Sequence, residues 1–289
     1  MWHRGDVMKA LVAALGLAGL LNAAGAAEPF SAERVAWNKP AEPFHIIANV
    51  YYVGTADLSV HLIATPQGLI LIDQGLPESV PLIEANIKKL GYKLSDVKLL
   101  LAGHAHFDHV GGLAALQKDT GAAIVASAGD TPFLEAGHIT YGPSKPVGFA
   151  PVKVDRVVHD GETVSLGGVT LTAHLTPGHT PGDTSWTLPV RENGKTLTVL
   201  FVGSTSVGGN PLKNVPEYPG IAADYRASFA KLRSMHADVL LTEHQSVSGE
   251  IEKAARAKPG APNPFIDASA LGRNVDASEK DFDTQFAAN

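Results

Sequence analysis

The chain has 289 residues, 45% of them hydrophobic, enough to bury a large core in one domain or two small ones. A formal net charge of −6 argues against a nucleic-acid-binding surface, which needs a basic excess. Cysteine is absent, so disulfides, thiolate metal ligands and a Cys nucleophile are excluded together, while the redox compartment stays open.

Arg4 and Lys9 precede an apolar run over residues 10–21, followed by Asn22-Ala-Ala-Gly-Ala-Ala27. That order of charged, apolar and small residues is the pattern of a secretory signal peptide, with cleavage after Ala26 or Ala27. The apolar run is too short to span about 30 Å of hydrocarbon comfortably. Residues 1–27 are therefore expected to direct export to the periplasm, leaving residues 28–289 as a single domain with no stable membrane association.

The mature chain starts with a polar, Pro-punctuated lead-in over residues 31–43. Residues 45–54 and 58–65 are rich in Ile, Val and Tyr and predict strands. Residues 68–73 form a continuous apolar strand buried on both faces, and residues 79–90 a helix stopped at Gly91. A buried strand over 97–102, a helix over 110–118 and a strand over 122–126 complete the first half. Strands at 154–158, 163–166, 169–175, 184–189 and 196–203 open the second half, separated by Asp160-Gly161, Gly167-Gly168 and Glu192-Asn193-Gly194. A helix over 225–235, a strand over 237–242, a helix over 251–258 and a closing helix within 263–287 follow. Strands followed by helices in both halves imply two mixed sheets packed together with helices outside, an αβ/βα sandwich. Residues 137–151 form the longest stretch without structure, either a lid walled by Ile139, Tyr141 and Phe149 or a plain surface excursion.

At the end of the 97–102 strand stands His104-Ala-His106-Phe-Asp108-His109, four potential metal ligands in six residues. Side chains two apart in an extended segment project the same way, so His104 and His106 can grip one ion. Asp108 and His109, beyond the bend into the next helix, can face a second. The pattern predicts a dinuclear metal site.

Four segments in order carry a family resemblance: Leu69-Ile-Leu-Ile-Asp73, Gly103-His-Ala-His-Phe-Asp-His-Val-Gly-Gly112, Thr176-Pro-Gly-His-Thr-Pro-Gly182 and Asp238-Val-Leu-Leu-Thr-Glu-His244. Together they resemble the signature of the metallo-β-lactamase superfamily over nearly the whole mature chain. The resemblance implies that His104, His106 and His179 bind one zinc ion, and Asp108, His109 and His244 a second. In lactonase and glyoxalase relatives a bridging Asp follows the strand that ends near Gly203; here Ser204 stands in that place. With no Cys available, the resemblance points to the third subclass of zinc β-lactamases, whose ligands are all His and Asp. Gly103 and Asp183 depart from the family pattern, in which Ser is usual or frequent at both places, and both departures bear on hydrogen bonds behind the ligands.

The implied activity is hydrolysis of the β-lactam amide by a zinc-bound hydroxide, with Asp108 also holding its proton. Asp73 is expected to orient a ligand, its rival role being a helix N-cap. Ser204 and Ser206 resemble hydroxyls that bind the substrate carboxylate, or else satisfy local backbone groups. Asn210 is a further substrate contact or a turn residue. His45, His61, His138, His159, His174 and His236 lack ligand spacing and read as structural. The alternatives are a lactonase, such as an N-acyl homoserine lactone hydrolase, and a metal-binding domain without catalysis. The expected partner is a small-molecule β-lactam substrate, with a monomer favoured.

Overall fold

The computed structural model describes residues 31–288; the signal-peptide expectation lies outside the described residues. Seven strands form one sheet in chain order: β1 (Phe44–Ile47), β2 (Val50–Tyr52), β3 (His61–Thr65), β4 (Gly68–Ile72), β5 (Val97–Leu101), β6 (Ala123–Ser127) and β7 (Arg156–Val158). Pairing is antiparallel from β1 to β4 and parallel from β4 to β7. The second sheet holds β8 (Thr163–Leu166), β9 (Val169–Leu175), β10 (Thr184–Glu192), β11 (Lys195–Val202) and β12 (Val239–Thr242), ordered β12-β11-β10-β9-β8. Only its β11/β12 pair is parallel. Both sheets are mixed, as the αβ/βα reading requires.

Strand β4 shows why the layers stack. Ile70 and Ile72 point into the core between the sheets, with Trp186, Phe201 and Leu241. Leu69 and Leu71, on the opposite face, pack with Ile83, Ile87 and Leu116 from the helices Val80–Lys89 and Leu113–Thr120. Each such buried side chain contributes about 1.5–3 kcal/mol. On the far side of the second sheet, Leu200, Val202 and Leu240 meet Phe229 and Phe282 of the helices Ile221–Ser234 and Ala270–Ala288. No helix among the described residues is long and apolar enough to cross a membrane.

Several local expectations change. The 45–54 strand is a hairpin of β1 and β2, turned at Ala48 with φ 48°. Leu58 does not extend β3 but forms a bridge to His244. The helix expected over 110–118 is two, Phe107–Val110 and Leu113–Thr120, broken at Gly111-Gly112. Three α-helices among the described residues escaped the sequence reading, Thr131–Ala136, Gln245–Ser248 and, within the lead-in, Ser31–Trp37. The segment 137–151 is irregular and reaches the cavity only through Ser144, not through the apolar residues expected to wall it. Ile139 and Tyr141 are buried in the core beside the second sheet, and Phe149 is half-buried against the first.

Candidate metal centre

Every candidate ligand follows the C-terminal end of a strand. His104 and His106 leave β5 in extended conformation, and His106 (φ −96°, ψ 149°) precedes the single-turn helix that carries Asp108 and His109. His179 lies in the β9–β10 connection, and His244 comes two residues after β12. The fold brings these six residues into two groups, His104/His106/His179 and Asp108/His109/His244, each with its donor atoms within 4.8 Å of one another. His106 Nδ1 and His179 Nε2 are 2.8 Å apart. Asp108 Oδ2 lies 3.3 Å from His109 Nε2 and 3.4 Å from His244 Nε2. The His104 and His109 rings, one from each group, have centroids 4.3 Å apart.

The electrostatics separate the groups. Burial, with repulsion from neighbouring imidazoles, holds His104 and His179 well below the usual imidazole range, and burial brings His106 to about 4. These three rings are neutral donors at pH 7. Burial also opposes charge on Asp108, yet His109 and His244 outweigh it and hold the carboxyl well below its ordinary range. Burial likewise disfavours a proton on His244, but Asp108 and Asp57 raise it to about 10, and Asp108 raises His109. His104 Nδ1 and Nε2, His106 Nε2 and His109 Nδ1 are buried without a hydrogen-bond partner among the described residues. Buried polar atoms are rarely left so, and five imidazoles with one carboxylate suit a borderline divalent cation in each group. The residues fit a dinuclear metal site.

Residues behind the ligands hold them. His244 Nδ1 is 2.9 Å from Asp57 Oδ2, and the His179 Nδ1 proton meets the Ser206 carbonyl at 2.8 Å. Asp130 accepts from Ala105 N (2.8 Å), Thr180 Oγ1 (2.7 Å) and Gly182 N (2.8 Å), and so joins the first ligand segment to the His179 loop. Asp183, fully buried, accepts from Thr176 Oγ1 and Ser204 N at 2.9 and 2.8 Å, and its Oδ2 lies 3.8 Å from His104 Nδ1. Burial pushes its pKa well above normal. A Cβ on Gly203 would come within 2.1 Å of Asp183 Oδ1, so the carboxylate occupies space that only glycine leaves. Asp57 and Asp130 were invisible in sequence, being lone acids in turn-like surroundings.

Asp73 accepts from Gly103 N at 2.7 Å, and its Oδ2 stands 3.8 Å from His109 Nδ1. It holds the segment leading into the ligands rather than capping a helix, and burial lifts it to about 6. Ser204 and Ser206 have their hydroxyls 3.1 Å apart and both line a cavity of about 310 Å³ over the ligands. Asn210 is buried, donates to the His179 carbonyl at 3.1 Å and is not among the residues lining that cavity. Trp37 and Glu33 of the unforeseen N-terminal helix supply another wall, the indole edge-on to His244 at 5.3 Å.

Residues 57–244 match the family model described as the metallo-beta-lactamase superfamily. Among solved structures, BJP-1, a subclass B3 metallo-β-lactamase of Bradyrhizobium japonicum, is 48% identical with a TM-score of 0.84, covering 88% of this chain and 96% of its own. FEZ-1, the metallo-β-lactamase of Legionella gormanii, is 41% identical with a TM-score of 0.83, covering 86% and 97%. Hydroxyacylglutathione hydrolase of Brucella anthropi is 29% identical over 57% of this chain, which spans only 58% of that enzyme's length.

Proposed function

This chain belongs to the metallo-β-lactamase superfamily of hydrolases, and on that premise we propose that it is a zinc β-lactamase of the third subclass, exported to the periplasm. The observation that carries the reading is the donor set: two groups built from His and Asp alone, with Ser204, not a carboxylate, on the cavity wall after β11. The third-subclass neighbour at 48% identity over 96% of its length supports it. Export rests on the order of charged, apolar and small residues within positions 1–27, and residues 28–289 are taken as one domain. A monomer hydrolysing a small β-lactam completes the proposal.

His104, His106 and His179 would hold one zinc ion, and Asp108, His109 and His244 the other. Bound zinc supplies Lewis acidity and lowers the pKa of coordinated water to about 7. The chain's part is to position and to manage protons. Asp108 is ionised and lines the cavity, so it can accept the proton of the attacking water. Asp57 and the Ser206 carbonyl fix the tautomers of His244 and His179, leaving Nε2 of each toward the centre. Ser204 and Ser206 offer paired hydroxyls to the substrate carboxylate. Asn210 then serves by holding the His179 loop.

One assay tests this: hydrolysis of a chromogenic cephalosporin, with and without chelator, beside an N-acyl homoserine lactone on the same zinc-loaded preparation. Turnover of the cephalosporin should vanish on chelation and return with zinc. Activity surviving complete metal removal would overturn the chemistry. A lactone turned over far more efficiently than any penicillin, cephalosporin or carbapenem would transfer the assignment to a lactonase.

A further inference from the structure

The N-terminal helix is held over the cavity from two sides. Arg34 pairs with Glu78 through two contacts of 3.0 Å, and its guanidinium stands 5.8 Å above the ring of Phe107, itself part of the cavity wall. The Trp37 carbonyl accepts from Thr55 Oγ1 at 2.7 Å and from Asp57 N at 3.2 Å. Glu33 and Trp37, four residues apart, share one helical face, and both line the cavity. Two basic side chains beside the walls are engaged elsewhere, Arg34 by Glu78 and Lys145 by Glu217 at 3.7 Å. The helix therefore sets an exposed carboxylate at the mouth.

A bicyclic β-lactam carries its ring carboxylate at one end and its acylamino arm at the other. With the carboxylate at Ser204 and Ser206, which come from the end of β11, the arm is directed away from that wall. Trp37 offers it an apolar face, and Glu33 a charge beyond that face. We propose that Glu33 is a specificity-determining residue that favours β-lactams whose acylamino arm bears a cationic amine and disfavours those whose arm bears a carboxylate. The inference rests on the β-lactamase reading above. If Glu33 were only a favourable acidic residue in a helix's first turn, arm charge would not register in it.

The test uses three penicillins with one nucleus and a phenylacetyl arm carrying an α-ammonium, no substituent or an α-carboxylate. Values of kcat/KM are measured at low ionic strength for the zinc-loaded protein, Glu33→Gln and Glu33→Lys, with the unsubstituted arm as internal reference. The bound metals draw anions in all three proteins, so the readout is the change in the ammonium-to-carboxylate ratio. For an exposed pair each charge step is worth up to about fivefold. The ratio should fall several-fold in Glu33→Gln, fall again in Glu33→Lys, and the differences should shrink in 1 M salt, where the Debye length is about 3 Å. Equal ratios in the three proteins, or ratios indifferent to salt, overturn the inference while leaving the β-lactamase reading intact. No turnover of the unsubstituted penicillin by the unaltered protein overturns that reading, and this inference with it.

Discussion

Ligand and support residues differ in how they fail. His179→Ala removes one of three neutral donors from its group, and turnover should fall by about 10²-fold or more, as for loss of a group that stabilises developing charge. Ser204→Ala should act mainly through KM, because a carboxylate contact is made equally in ground and transition states. A Ser204→Ala variant with unchanged KM and abolished kcat would remove the carboxylate role. Asp57→Asn leaves all six candidate ligands in place but replaces the charged acceptor on His244 Nδ1 with a neutral amide. Metal affinity should drop about 10- to 100-fold, read by competition with a chromophoric chelator. An affinity unchanged by the substitution would mean that Asp57 merely ties Ser246 N, its other contact at 3.2 Å.

At the scale of elements, a buried hydrogen bond between a histidine and a glutamate ties the two halves together. His61 of β3 meets Glu250, the first residue of the helix Glu250–Arg256, at 2.9 Å, with Glu250 fully buried. Glu250 also accepts from Thr242 N of β12 at 3.2 Å and Ser248 Oγ at 2.8 Å, just past the last ligand His244. His61→Ala would leave Glu250 Oε2 without its partner, and urea unfolding should show a loss of about 1–3 kcal/mol. The His61 ring had only the structural reading in sequence, and the pair gives that reading its content. Gly203→Ala is the companion case at the end of β11. Its Cβ would collide with the Asp183 carboxylate, and a cost of about 1–3 kcal/mol is expected for a crowded interior. A wild-type urea midpoint for Gly203→Ala would mean the Asp183 loop can shift aside.

For the molecule as a whole, folding, metal and protons are linked. The two groups should respond oppositely to pH. His104, His106 and His179 are already neutral, and His106 titrates only near 4, so protons compete little for that group at neutral pH. His244 is raised to about 10, so in the metal-free protein it carries a proton that a cation must displace, and Asp108 raises His109 in the same direction. Affinity of the second group should therefore climb as pH rises toward 10, with protons released on loading, while the first group stays flat through the neutral range. Without metal, the raised His244 contributes stability that is fully present below the ordinary imidazole value and lost as pH rises through about 10. Titration calorimetry in buffers of different ionisation heat checks the proton count. A second ion that binds with no proton release would show the His244 proton to be absent. Cation at 100 times its dissociation constant should add about 2.7 kcal/mol of stability per site.

The sequence by itself determined the layers and the first cluster of candidate ligands. Four donors in six residues at the end of an apolar strand announce a metal site, because few other arrangements crowd imidazoles so tightly. Continuous or alternating apolar runs in β4, β5 and β11 likewise dictate which faces are buried, whatever surrounds them. The chain positions of His179 and His244 were readable only through family resemblance, because no local pattern links residues so far apart. What tertiary structure decided is everything made by convergence from distant segments. Asp57, Asp130 and Asp183 acquire their roles from the loops they meet, and a lone acid in a turn carries no sign of its partner. The lead-in became a helix because Arg34 found Glu78 and Trp37 packed beside His244, contacts that local propensity over seven residues does not encode. Ile139 and Tyr141 were buried for the same reason, since a segment with no period of its own takes its place from the surfaces it covers.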